Sequence, residues 1–304
     1  MKEMVGIVPL AKKGSIYNKL WDDGFIDVRA NLNAVQAAIL DCASAGCSSI
    51  WVNADYEQIP LLKRMVGSWV EDPVYFHRSL DPWPGTSKKY IPIFYSWNHQ
   101  KDVGRRDSYG WGILNAATVS VIVNKNISKH IIPELFYVSF PFAVTDIWQS
   151  SENRLKIKKS NRFCYEFKGE TILDNKFLSF AFNRQDLLDA RKNVRTKGTG
   201  IFIRGREFGS PGFGEKLPKE ERWSGRFFNL SDIFSFLKKE DFDAKEEAKI
   251  YYPIDTWEGY VEMMRSEFPL RPFKSNYFYN RRMERLRGYE REGPEPDYSH
   301  PSED

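Results

Sequence analysis

The stretch from Val5 to Asp55 constrains the fold more than any other part of the chain. Val5 to Leu10, "VGIVPL", is a continuous apolar run without alternation, the pattern of a strand buried on both faces of a parallel sheet. Leu32, Val35, Ala38, Ile39 and Cys42 then recur at helical spacing in "LNAVQAAILDCASAG", and Gly46 is the stop signal. "SSIWVNAD" supplies a second strand. A strand, helix and strand in this order predict a right-handed βαβ unit. Sheets built from such units bind ligands at the carboxyl ends of their strands, where the loop "LAKKGSI" leaves the first one.

The alternation continues. "EQIPLLKRMVGSWV" reads as helix, "DPVYFHR" and "YIPIFYSWN" as strands, "GILNAATVSVIV" as helix and "ELFYVSFPF" as strand. After Trp148 the texture becomes β-like in "RFCYEFKGETI" and "FLSFAFN", followed by "GTGIFIRG" and a glycine-rich connection. A helix "NLSDIFSFLKKE" starts at Ser231 as its cap, and "AKIYYPIDTWEGYVEMM" gives a last strand, a turn and a helix. The expected architecture is α/β, an open mixed and mainly parallel sheet flanked by helices, over residues 1–264 with a β-rich part at 150–225. Residues 265–304 form a basic and aromatic extension ending in a tail whose prolines, acids and missing apolar periodicity predict disorder.

Composition narrows the function. The 45 basic and 41 acidic residues leave a net charge of +4, a small excess that argues against a dedicated nucleic-acid binder. Cys42, Cys47 and Cys164 are odd in number and complete no zinc pattern, which suits buried, reduced thiols in a cytosol. No leader pattern precedes the first strand and no apolar run reaches the ~18 residues of a membrane span, so a soluble cytoplasmic protein is expected. His77, His99, His130 and His300 are scattered and form no catalytic spacing.

The order of these pieces, over about residues 4–262, resembles the nucleotidyltransferases that join a nucleoside monophosphate to a sugar phosphate on a glycosyltransferase-A type, Rossmann-like sheet. The resemblance implies that Leu10, Ala11, Gly14 and Ser15 hold nucleotide phosphates, although Lys12 stands where the family has glycine and Ile16 where it has arginine. Lys12, Lys13 and Arg29 would be the catalytic cations, Arg29 replacing the family's Pro-Lys pair. Gln100 would read the base, and Gly110 and Gly112 would open a helix N-terminus toward the ligand. Asp255 falls on one metal ligand, while Asp146 is the first aspartate after the strand that should end in the other.

The implied activity is transfer of a nucleoside monophosphate from a nucleoside triphosphate to a phosphorylated small-molecule acceptor, with Mg²⁺ assisting. A catalytically degenerate binding or assembly protein and a nucleotide-sugar-dependent glycosyltransferase are the alternatives on the same sheet. Capping and helix-dipole chemistry account equally for Asp255. "FYNRRMERLRGYER" suits a protein partner docking on the extension, with internal ion pairs accounting for its charges otherwise.

Overall fold

The computed structural model describes residues 2–10, 23–74, 89–100, 102, 108–128, 131–147, 153–198, 214–215, 218, 230–268 and 278–279. In chain order the elements are β1 (Met4–Pro9), β2 (Asp27–Arg29), β3 (Leu32–Asn33), α1 (Ala34–Ala45), β4 (Ser49–Asn53), α2 (Ile59–Met65), β5 (Trp69–Glu71) and β6 (Tyr90–Ser96). There follow α3 (Tyr109–Ile127), β7 (Leu135–Val138), β8 (Ala143–Thr145), α4 (Arg154–Lys159), β9 (Phe163–Glu166), β10 (Phe180–Asn183) and α5 (Arg184–Gly198). The last are α6 (Leu230–Ile233), β11 (Ala244–Glu247), β12 (Tyr251–Pro253), α7 (Trp257–Arg265) and β13 (Phe278–Tyr279).

Nine strands form one sheet in the order β11-β9-β10-β7-β1-β4-β6-β5-β13. β1 pairs parallel with β4 and β7, and β4 with β6, while β10 and β5 run antiparallel to their neighbours. This is the mixed, mainly parallel sheet that the sequence predicts.

β1 is apolar throughout because both its faces are covered. Met4, Val8 and Leu10 join the core on the α1 side, and Val5 and Ile7 join the one on the α3 side. Gly6 lies on the α1 face, where an added Cβ would stand 2.8 Å from Cys42 Cβ, so α1 rests directly on the strand backbone. That helix is fixed at both ends. Asn33 and Gln36 form a capping box, and Gly46 closes it at φ 92°, a left-handed conformation that favours glycine. All three cysteines are free and buried.

Some elements depart from the sequence expectation. β5 takes the end of "EQIPLLKRMVGSWV", where helix is expected; of the strand expected in "DPVYFHR", Tyr75 to Arg78 lie outside the described residues, and Asp72 turns inward to receive a bidentate hydrogen bond from Arg154 at 2.8 and 2.7 Å. α5 follows β10, where the expectation was a β-rich stretch; its buried Leu187, Ala190 and Val194 show the helical spacing that identifies it. α6 begins at Leu230, which puts Ser231 inside its first turn. Phe278 and Tyr279 of the expected extension pair with β5 as an edge strand, and the expected tail lies outside the described residues. Among the described residues no helix is long and apolar enough to cross a membrane.

One carboxylate ties the layers together. Asp41 of α1 is 4% exposed and accepts hydrogen bonds from the Tyr137 hydroxyl of β7 at 2.9 and 3.0 Å and from Ser179 at 2.6 Å, with Ser139 as a further donor. Burial outweighs these donors and raises its pKa from 3.8 to about 6. Between those values the folded chain binds the proton more tightly than the unfolded chain. Asp41 therefore contributes most stability below pH 3.8, and that contribution falls as pH rises toward 6. Asp41→Asn is expected to remove this dependence: urea unfolding from pH 4 to 6.5 should show the wild type losing, relative to the variant, on the order of 2–3 kcal/mol.

Candidate functional site

The sheet order reverses at β1, which has β4 and β6 on one side and β7 and β10 on the other. A crevice opens at the carboxyl ends of strands at such a switch point. Backbone pairing continues past the strands there: Leu10 N–H donates to Asn53 O at 2.7 Å, Ala54 N–H to Ser96 O at 3.0 Å and Ser139 N–H to Ile7 O at 3.0 Å. The rim is therefore a continuous, fixed surface.

α3 begins directly over this rim. Ser108 caps it, its hydroxyl accepting from Trp111 N–H at 3.1 Å. In the first turn a Cβ on Gly112 would lie 2.8 Å from Asn53 Oδ1 and 3.7 Å from Pro9 Cβ. Glycine lets the helix start settle onto the ends of β1 and β4, where its amides and dipole favour an anion.

Two asparagines line the rim. Asn53 is 0% exposed; its Nδ2 donates to Ser96 Oγ at 3.2 Å, and its Oδ1 has no hydrogen-bond partner. Asn98, two residues beyond β6, is 4% exposed, and neither atom of its side-chain amide has a partner. A buried polar atom left unmatched costs about 1–3 kcal/mol, so one such atom at the end of β4 and two just past the end of β6, neighbouring strands, mark a rim where a polar ligand would offset that cost. Together they offer two acceptors and one donor, a set suited to the edge of a heterocycle that presents both donors and acceptors.

The residues singled out from sequence fall as follows. Leu10 is fully buried and continues β1; Ala11, Lys12, Lys13, Gly14 and Ser15 lie outside the described residues. Gly110 and Gly112 both sit in the first turn of α3, buried. Gln100 is exposed, whereas Asn98 two positions earlier is enclosed. Arg29 ends β2 and holds its guanidinium 4.0 Å from the Phe268 ring centroid, a cation–π contact joining the β2–β3 ladder to the segment after α7. Sequence reasoning missed Asn53, Ser96 and Asn98. The signal was present, since "SIWVN" ends an apolar strand in asparagine and "FYSWN" carries one two residues past the next.

Asp146 and Asp255 are held apart. β8 and β12 pair antiparallel, with Thr145 opposite Tyr251 and Ala143 opposite Pro253, and Ile254 N–H extends the pairing to Phe142 O at 3.0 Å. Asp146 lies at one end, where its Oδ1 accepts from Lys249 and Ile250 N–H at 3.1 and 3.3 Å. Asp255 lies beyond the other end, just before Thr256, which caps α7 by accepting from Gly259 N–H at 3.2 Å. The ladder from Ile250 to Ile254 separates them, on the order of 13 Å at ~3.3 Å per residue. Among the described residues no group of three or more His, Cys, Asp or Glu could hold a metal ion. The two acids do not fit a shared Mg²⁺ site.

No family model matches the sequence, and no curated protein matches it. Among solved structures the chain is similar to a UDP-glucose pyrophosphorylase complexed with UDP-glucose, at 11% identity and TM-score 0.47, over 89% of this chain and 100% of the other. It is also similar to a putative glucose-1-phosphate thymidylyltransferase from Bacillus anthracis in complex with a sucrose, at 8% identity and TM-score 0.47, over 86% and 93%. A nucleoside-diphosphate-sugar pyrophosphorylase from Vibrio cholerae RC9 matches at 9% identity and TM-score 0.47, over 86% and 100%. These structural neighbours are sugar-phosphate nucleotidyltransferases.

The seating of α3 is open to a direct check. Gly112→Ala would ordinarily stabilise a helix by about 1 kcal/mol through propensity. Here the new methyl meets a buried amide, and urea unfolding is expected to show a loss of about 1–3 kcal/mol instead. In an Asn53→Ala background the same change should cost less, giving a coupling energy above about 0.5 kcal/mol.

Proposed function

We propose that the chain binds a nucleoside triphosphate at the ends of β1, β4 and β6 and transfers its nucleoside monophosphate to a phosphorylated small-molecule acceptor, with a sugar phosphate as the preferred class. The observation that carries this reading is the set of unmatched buried amide atoms on Asn53, at the end of β4 against the start of α3, and on Asn98, two residues past the adjoining β6, beside the switch point of the sheet. In it Asn98 presents a donor and an acceptor to the base, Asn53 Oδ1 adds an acceptor, and the α3 N-terminus faces negative charge. In this reading Lys12, Lys13, Gly14 and Ser15, next in sequence after Leu10, hold the phosphates, with Arg29 as a further phosphate partner.

An acceptor phosphate oxygen attacks the α-phosphorus, the bond to the bridging oxygen breaks, and pyrophosphate leaves with that oxygen. Such a transfer calls mainly for positioning and charge neutralisation. A divalent ion supplies neutralisation when bound. Asp146 and Asp255 form no pair for one, so the protein's contribution is assigned to its cations and helix dipole.

Calorimetric titration with the four common ribonucleoside triphosphates tests the reading. One base is expected to bind best, and Asn98→Leu should weaken it at least about tenfold, the equivalent of ~1.4 kcal/mol. Absence of binding by every triphosphate would overturn it. The separation of Asp146 from Asp255 favours a second reading, a nucleotide-binding protein without transfer activity. Pyrophosphate release on adding a sugar 1-phosphate to the triphosphate complex separates the two: release supports transfer, and tight binding without release supports the second.

A further inference from the structure

A second concave site lies between α3 and α5, running from Trp111 in the first turn of α3 to Thr118. Its volume is about 560 Å³, within the range of small-molecule pockets. Trp111 and Leu114 of α3 and Leu188 of α5 give it an apolar lining, and Arg191, Lys192 and Arg195 of α5 line one side. Among the described residues that line it none is acidic.

The cations are the unusual part. Arg191 and Arg195 are one helical turn apart and Lys192 is three residues before Arg195, so the three share one side of α5. All three are exposed, and among the described residues none of them joins an ion pair. Elsewhere basic side chains beside acids are paired, as Arg162 is with Asp186 at 2.6 Å and Arg154 with Asp72 at 2.7 Å. Three like charges held on one side of a helix repel one another, and an anionic ligand between them relieves that repulsion.

α5 itself is firmly placed. Leu187, Ala190 and Val194 are buried on its inner side, and Asn193 Nδ2 donates to the carbonyls of Asp232 and Ile233 at 2.8 and 3.1 Å. The pocket is therefore preformed.

We propose that this groove is a separate binding site for a nucleoside phosphate, its ring against Trp111 and the apolar floor and its phosphates on Arg191, Lys192 and Arg195. Inorganic phosphate would use the cations and leave the apolar lining unfilled. A docked acidic helix needs anchors over several turns, whereas the α3 side of this pocket runs only from Trp111 to Thr118, about 10 Å of helix. Guanidinium forks match phosphate oxygens two at a time, and indole is a good stacking surface for a planar base.

Equilibrium dialysis of the full chain against ATP, adenosine and inorganic tripolyphosphate tests the proposal. ATP is expected to bind the wild type, the Arg191→Glu, Arg195→Glu double variant to lose one ATP per chain, and Arg191→Lys, Arg195→Lys to retain it. Leu188→Glu, an exposed change on the groove floor, should weaken the same binding at least tenfold and serves as the second variant if the double reversal disturbs folding. Asn98→Leu changes the strand-end site alone, so it should leave the groove-dependent ATP in place whether or not the strand-end site binds nucleotide. An ATP stoichiometry and affinity untouched by both groove variants would overturn the proposal. So would tripolyphosphate binding as tightly as ATP, which would make the cations a general anion patch.

Discussion

The start of α3 lies so close to the sheet that no side chain fits between them, and the rest of the candidate site depends on that contact. A Cβ at Gly112 would collide with the buried Asn53 amide and touch Pro9. Because the helix is seated there, its N-terminus lies over the ends of β1 and β4, and Asn53 at the end of β4 is enclosed against it. Raising the helix by even a methyl group would open the rim and hydrate those amides. The cost of leaving them unmatched and the geometry that would let them recognise a ligand have the same origin.

The opposite face of the sheet supplies the rigidity. α1 lies on β1 at Gly6, and its Asp41 accepts hydrogen bonds from residues on or next to β7 and β10. A lone buried carboxylate is an expensive way to fasten a helix, since burial outweighs its donors and favours the protonated form. What it provides is direction: only one register of α1 against β7 brings Asp41 within reach of Tyr137. With α1 fixed below and α3 seated above, the ends of β1, β4 and β7 have little freedom to move.

Much of this was legible in the sequence, for identifiable reasons. β1, α1 and β4 announce themselves because a strand buried on both faces must be apolar at every position and a capped helix carries its signals at its ends. α5 was passed over because three of its first turn's four residues, Arg184, Gln185 and Asp186, are polar and its buried Leu187, Ala190 and Val194 are outnumbered by charges. The amide cluster escaped for a different reason. Asn53 and Asn98 lie 45 positions apart in sequence, and only the parallel pairing of β4 with β6 brings their strand ends to one rim. Asp146 and Asp255 show the converse, two acids that sequence order suggests together and an antiparallel ladder keeps apart.

The proposed site would divide recognition from charge neutralisation, with neutral amides at the strand ends and Lys12 and Lys13 next in sequence after Leu10. The amides would select the heterocycle and the cations would hold its phosphates. The most direct test of this division is the side-chain amide region of a proton–nitrogen correlation spectrum recorded while a nucleoside triphosphate is added. The resonances of Asn53 and Asn98, assigned by substitution, are expected to shift together with a common dissociation constant. Saturation of the protein with nucleotide while both resonances stay in place would contradict the account.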